Sequence, residues 1–207
     1  MQMLHYRTGP LSVNTYVVYD ESTGRGFIID PGGSYKRLSE DLSAKNITVE
    51  AVLLTHGHFD HTGAAKEFQD AGAKVYIHSA DADMLHDGSN LGSTFGGKNP
   101  PFHADVLLHG DCTIVVAGIA LQLIHTPGHT PGCICLLAGG KLFSGDTLFL
   151  LSVGRTDFPG GNTEDLRASL AKLFALDGDC EVYPGHDAFT TLDYERKNNP
   201  YSSGSSI

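Results

Sequence analysis

Four apolar runs in this chain end in the same way. Residues 51–55, AVLLT, run into His56-Gly57-His58-Phe59-Asp60-His61, and residues 119–124, IALQLI, run into His125-Thr126-Pro127-Gly128-His129. KLF at 141–143 runs into Ser144-Gly145-Asp146, and CEVY at 180–183 into Pro184-Gly185-His186. A short apolar run that stops at glycine or proline reads as a strand leaving its sheet. Glycine at that point lets backbone and ligand approach without a Cβ between them. If these strands share a direction, their carboxyl ends converge on one edge, where α/β sheets bind ligands.

Seven metal-type side chains would then meet: His56, His58, Asp60, His61, His129, Asp146 and His186. Imidazole and carboxylate suit zinc, iron or manganese. Seven donors exceed the needs of one tetrahedral ion and suit two ions, three ligands each, with one bridging carboxylate. On an extended segment His56 and His58 point the same way and can share an ion. Asp60 and His61 fall past the turn, at the start of the next helix, and can face a second. Burying such groups without partners costs ~1–3 kcal/mol apiece, so a purely structural role for all of them is disfavoured. The other histidines, His5, His78, His86, His103, His109 and His125, read as ordinary surface or core residues.

The rest of the chain reads as strands first, then strands alternating with helices. Strands are predicted at 13–19, 26–29, 51–54, 74–77, 106–108, 112–116, 119–125, 133–137, 141–143 and 180–183. Helices are predicted at 35–45 with Ser34 as cap, 63–71, 79–86 with Ser79 as cap, 163–176 and 192–198. This order predicts sheets covered by helices, an α/β (α+β) layered fold. The 207 residues are expected to form a single domain, 1–207, with 201–207 a flexible tail. With 41% hydrophobic residues the chain is an ordinary globular sequence rather than a disordered one. The formal charge of −10 disfavours nucleic acid and anionic membrane as partners. No apolar segment approaches the ~20 residues of a membrane span, and MQMLHYRTGPLSVN has no signal-peptide core. Cys112, Cys133, Cys135 and Cys180 form no C-x-x-C pair and read as reduced core thiols, which fits a cytoplasmic setting.

THGHFDH, TPGHTPG, FSGDTLF and YPGHD, with the opening VNTYVVYD…GFIIDPGG, resemble the metallo-β-lactamase superfamily from about Leu11 to Arg196. Within it the chain is most similar to the small glyoxalase II-like hydrolases, whose GRTDFPGG segment is shared with persulfide dioxygenases. The resemblance implies an αββα sandwich with the metals at one sheet edge. It implies His56, His58 and His129 on a first zinc ion, Asp60, His61 and His186 on a second, and Asp146 bridging both; iron or manganese could replace zinc. With 21 residues after His186, the helical domain with which full glyoxalase II grips glutathione is expected to be missing.

The implied activity is metal-dependent hydrolysis of a small-molecule thioester or ester. A hydroxide shared by two ions would attack the carbonyl, with Asp60 steering it and Asp146 holding both metals. Thioesters suit such a site because a thiol with a pKa near ~8.5 leaves readily as thiolate. A mononuclear iron persulfide dioxygenase, using His56, His129 and Asp146, is the alternative; a metal-binding module without catalysis is a third. Asp30 and Asp157 could orient the ligands or stabilise turns. Arg155 could face an anionic substrate or pair with an acid. The 88–103 loop, with Phe95 and Phe102, could line the pocket or stay on the surface. Sequence leaves the oligomeric state open.

Overall fold

The computed structural model describes residues 1–97 and 99–202. Two six-stranded sheets make up its centre. The first contains β1 (Gln2–Thr8), β2 (Val13–Tyr19), β3 (Arg25–Ile29), β4 (Thr48–Leu53), β5 (Lys74–His78) and β6 (Val106–Leu108), side by side in that order. Its first three strands form an antiparallel meander, and β3 to β6 run parallel. Between them lie helices α1 (Tyr35–Ala44), α2 (Phe59–Thr62) and α3 (Ala65–Asp70), a 3₁₀ segment at Ser79–Leu85, and α4 (Gly92–Phe95).

The second sheet is built from β7 (Cys112–Val116), β8 (Ile119–His125), β9 (Ile134–Ala138) and β10 (Lys141–Gly145). A hairpin of β11 (Leu148–Phe149) and β12 (Ser152–Val153) then precedes α5 (Thr163–Phe174), β13 (Glu181–Pro184), β14 (Thr190–Thr191) and α6 (Leu192–Asn198). The spatial order of the sheet is β14-β13-β10-β9-β8-β7. Within it β10 and β13 are parallel, so the Asp146 and His186 turns leave the same edge.

Three apolar layers result. Tyr16, Phe27, Ile29 and Leu53 of one sheet meet Leu121, Leu123, Leu136 and Phe143 of the other. Leu38, Leu42 and Phe68 cover the outer face of the first sheet over Ile28, Val52 and Val75. Leu166, Leu170 and Leu173 of α5, with Leu192 of α6, cover the second over Ile124, Cys135, Leu142 and Val182. This is the expected αββα sandwich. Alternation along each strand sends one set of side chains inward and the other to the helices.

Helix α5 starts where Asn162 Oδ1 accepts the N–H groups of Glu164 and Asp165 at 2.9 and 3.2 Å. Its leucine stripe then faces the sheet, as the spacing requires. Three expectations need correction. The helix expected at 63–71 forms as α3 over Ala65–Asp70, and a separate short helix, α2 at Phe59–Thr62, precedes it. Ser34 precedes α1 in a left-handed conformation and its side chain caps nothing. At 79–85 the turn is 3₁₀, and His78 Nδ1, rather than Ser79, accepts the Ala80 N–H. Strand β1 went unread because QMLHYRT is a half-exposed edge strand carrying His5 and Arg7, with no continuous apolar signal. All four cysteines are free thiols, Cys133 and Cys135 fully buried. Among the described residues no helix is long and apolar enough to cross a membrane. The tail at 201–207 lies outside the described residues from 203 on.

Candidate metal centre

All seven sequence-predicted ligands meet at the strand-end edge, in three overlapping groups: His56 with His58 and His129, Asp60 with His61 and His186, and His56 with His61 and Asp146. In the first trio His58 Nδ1 stands 3.0 Å from both His56 Nε2 and His129 Nε2. In the second, Asp60 Oδ2 is 3.3 Å from His186 Nε2 and 3.7 Å from His61 Nε2. Asp146 lies between them. Its Oδ1 is 3.4 Å from His61 Nε2, and its Oδ2 is 3.6 Å from His129 Nε2 and 3.7 Å from His186 Nε2.

The surrounding hydrogen bonds settle which ring nitrogens face the cluster. The Arg155 carbonyl, 2.8 Å from His129 Nδ1, can only accept, so His129 donates from Nδ1 and turns Nε2 inward. Asp30 Oδ2 accepts from His61 Nδ1 at 2.9 Å and from Thr55 Oγ1 at 2.6 Å. With its proton given to Asp30, Thr55 Oγ1 accepts from His56 Nδ1 at 3.1 Å, which leaves the His56 Nε2 lone pair facing the cluster. Orientation of a ligating ring through its other nitrogen is what metal sites require.

Electrostatics agree. Burial, reinforced by the neighbouring imidazoles, pushes His56 well down and His58 to about 3. Both are therefore neutral donors at pH 7. Burial opposes charge on His61 as well, but Asp146, Asp60 and Asp30 outweigh it and raise the ring to about 10. For Asp60 burial is overcome by His61 and His186, which hold the carboxyl below its ordinary range. His186 is raised, the Asp60 hydrogen bond and Asp146 outweighing burial.

These residues fit metal ions. His61 Nε2 and Asp146 Oδ1 are buried without a hydrogen-bond partner. Each such group costs about 1–3 kcal/mol unless something else satisfies it. Three imidazole nitrogens crowd together on the first side, and two carboxylates face the second. A cation relieves both. Close backbone approach preserves the space: a Cβ on Gly185 would fall 2.3 Å from Asp146 Oδ1, and one on Gly154 would fall 1.8 Å from the Asp146 carbonyl oxygen.

The other candidates divide. Asp30 orients His61 and also accepts the Thr55 N–H at 2.8 Å. Arg155 pairs with Asp157 rather than standing free, Nε and Nη2 each 2.6 Å from a carboxylate oxygen. Phe95 lines the cavity over the cluster, whereas Phe102 is buried under the first sheet and does not. The remaining histidines lie outside the cluster; His5, for example, bonds Asn14, and His125 Nε2 donates to the Pro131 carbonyl. Asn14 pins the His186 turn by donating its N–H to the Gly185 carbonyl and Nδ2 to Pro184 and Asp187.

Asp81 was missed. It is fully buried and accepts from the Gly57 N–H, the Thr130 hydroxyl and the Gly132 N–H. One signal was available: it lies just past the carboxyl end of β5, on the same edge as the ligand turns.

An αββα sandwich with a His/Asp cluster at one edge defines a scaffold able to hold metal ions. Residues 8–186 match the family model of the metallo-beta-lactamase superfamily, and the chain belongs to that superfamily of metal-dependent hydrolases. Hydroxyacylglutathione hydrolase GloC of Haemophilus influenzae is 34% identical over 93% of this chain and 94% of its own length. Among solved structures, the BLEG-1 B3 metallo-beta-lactamase superposes with a TM-score of 0.92 at 35% identity, covering 98% of this chain and 100% of that one. A di-iron-bound form of TTHA1623 gives 0.85 at 34% identity, covering 96% and 99%. ETHE1 from Myxococcus xanthus gives 0.81 at 30%, covering 100% and 86%.

Proposed function

We propose that this protein is a thioester hydrolase with a binuclear metal centre, most simply two zinc ions, acting on a small molecule. Asp146 carries the reading. One carboxylate within 3.4–3.7 Å of His61, His129 and His186 can serve two ions at once, and a one-ion site would leave the Asp60, His61 and His186 trio without purpose. The likenesses to GloC and to a di-iron structure support it.

When bound, the ions supply Lewis acidity toward a carbonyl oxygen and lower the pKa of water toward ~7. His56, His58 and His129 would hold one of them, and Asp60, His61 and His186 the other. The chain's own residues do the rest. Asp30 and the Arg155 carbonyl fix His61 and His129, so the donors need no reorganisation during the reaction. Asp60 lines the cavity floor as a carboxylate at neutral pH, able to orient a water and accept its proton. No acid is needed for a thiolate leaving group, and among the described cavity-lining residues none is a lysine, tyrosine or cysteine that would protonate a poorer one.

The test combines metal analysis of protein purified without chelator with thioester hydrolysis and oxygen uptake on glutathione persulfide. Two metal equivalents with hydrolysis are expected. One equivalent of iron with persulfide-driven oxygen uptake and no hydrolysis would replace the reading with a dioxygenase.

A further inference from the structure

The cavity over the metal-ligand cluster has a volume of about 450 Å³. That is the size of a small-molecule site. Its floor is polar, with His58, Asp60, His129, Asp146 and His186, while its walls are mostly apolar. Phe158 stands edge-on to His58 of the first trio at 6.0 Å, and Phe95 meets Phe158 at 5.8 Å. Beside the second trio Phe149 lies 6.4 Å from His186. Leu11 and Phe95, at the mouth, are 49% and 51% exposed. Large apolar side chains left half in water around a functional cavity signal an apolar ligand.

Charge is arranged to the same end. Among the described lining residues Arg155 is the single lysine or arginine. Its Nε and Nη2 edge is taken by Asp157, whose charge offsets its own, and its face lies 3.9 Å from the Phe158 ring centroid. Arg155 beside Asp157 holds that carboxyl down to about 2. The guanidinium therefore serves as a flat, charge-compensated part of the wall. Asp187 adds a carboxylate to the lining. Among the described lining residues, one guanidinium already neutralised by Asp157 is all that could meet the two carboxylates of a glutathionyl group.

We infer that this cavity selects thioesters whose arms are neutral and apolar, such as aryl-acetyl or branched acyl thioesters of an uncharged thiol, with Phe95, Phe149 and Phe158 as the selecting residues and Asp157 as the residue that keeps Arg155 from recognising anions. The inference rests on the thioester reading above for the reacting bond.

The experiment measures binding and cleavage separately on the metal-loaded protein. Calorimetry uses unreactive ketone analogues, with CH₂ in place of the thioester sulfur: acetyl and phenylacetyl analogues of N-acetylcysteamine, and the acetyl analogue of glutathione. The phenylacetyl analogue should bind about tenfold tighter than the acetyl one, the return from burying one ring. Phe95→Ala should remove most of that gain. Asp157→Ala should strengthen binding of the glutathione analogue severalfold at low salt, and a gain cannot arise from misfolding. A glutathione analogue that already binds best to the unaltered protein, or no advantage for phenylacetyl, overturns the inference. Cleavage of the matching thioesters is scored alongside. Absence of any cleavage with the binding order intact overturns the thioester reading and leaves the apolar selectivity standing.

Discussion

Asp81 Oδ2 accepts the Thr130 hydroxyl at 2.6 Å and, on the same oxygen, the Gly57 N–H at 3.0 Å, while Oδ1 accepts the Gly132 N–H at 2.6 Å. One buried carboxylate thereby ties the segment bearing His56 and His58 to the turn bearing His129. These three ligands come from two stretches more than seventy residues apart, and Asp81, from a third, sets their spacing. Asp81→Ala should leave two N–H groups and a hydroxyl unpaired in the interior. Each costs about 1–3 kcal/mol, so a loss of roughly 3 kcal/mol or more in urea unfolding is expected. Metal affinity should fall by about 10–100-fold, the usual effect of losing a group that orients ligands. Wild-type metal affinity in a folded variant would show that the tie does not position the ligands.

The convergence of the seven candidate ligands and the layered fold were legible because each signal was local: an apolar run, a glycine or proline, then a His or Asp. The strand ends at Thr55, Ile124, Phe143 and Tyr183 could be read one by one, and the shared direction of β8, β10 and β13 brings three of their turns to one edge, beside the end of β4. What could not be read depends on contacts distant in sequence. Asp81 differs in no local respect from Asp83, yet one is buried on three donors and the other is exposed. Phe102 and Phe95 sit seven residues apart in one loop, and only the packing beneath the sheet decides which is core and which faces the cavity. Arg155 and Asp157 are two apart, and their pairing is a rotamer choice that sequence leaves open.

Acid sensitivity should be traceable to His78, far from the ligand trios. Burial, with His125 stacked at 4.0 Å and His109 nearby, pushes its pKa down to about 4. Between pH ~6.5 and about 4 the unfolded chain binds this proton and the folded chain does not. Stability from this group is therefore complete above pH ~6.5 and declines as pH falls toward 4. His78→Asn should flatten that part of the stability profile, measured by denaturant unfolding with chelator present so that metal loss does not contribute. An unchanged slope would mean that His78 protonates alike in both states.

Asp146→Ala should be the most damaging single change to metal binding. It removes the one carboxylate near both trios, so metal content should fall by one equivalent or more and turnover by more than the ~100-fold upper range for ligand-orienting groups. Asp146 also borders His61, whose raised pKa depends in part on it, so the variant's His61 should titrate lower by NMR in the metal-free state. Wild-type turnover in this variant would remove Asp146 from the ligand set.

His61→Ala separates the two chemistries. In the binuclear reading it takes away one of three donors on the second side and leaves His56, His58 and His129 intact, since Asp30 and Thr55 hold His56 independently of His61. One metal equivalent should remain. With one of two cations gone, the water keeps the activation of a single ion, and its pKa should rise above its value in the intact centre. Turnover at neutral pH should then drop about a hundredfold, since two decades in rate correspond to roughly 2.7 kcal/mol of barrier. Part of it should return between pH 8 and 10, where hydroxide forms without the second ion, and this upward shift of the pH–rate profile distinguishes lost activation from simple misfolding. In the mononuclear iron reading the iron stays on His56, His129 and Asp146, so His61→Ala should leave iron content and persulfide-driven oxygen uptake nearly unchanged. That outcome would move the protein from hydrolase to oxidoreductase.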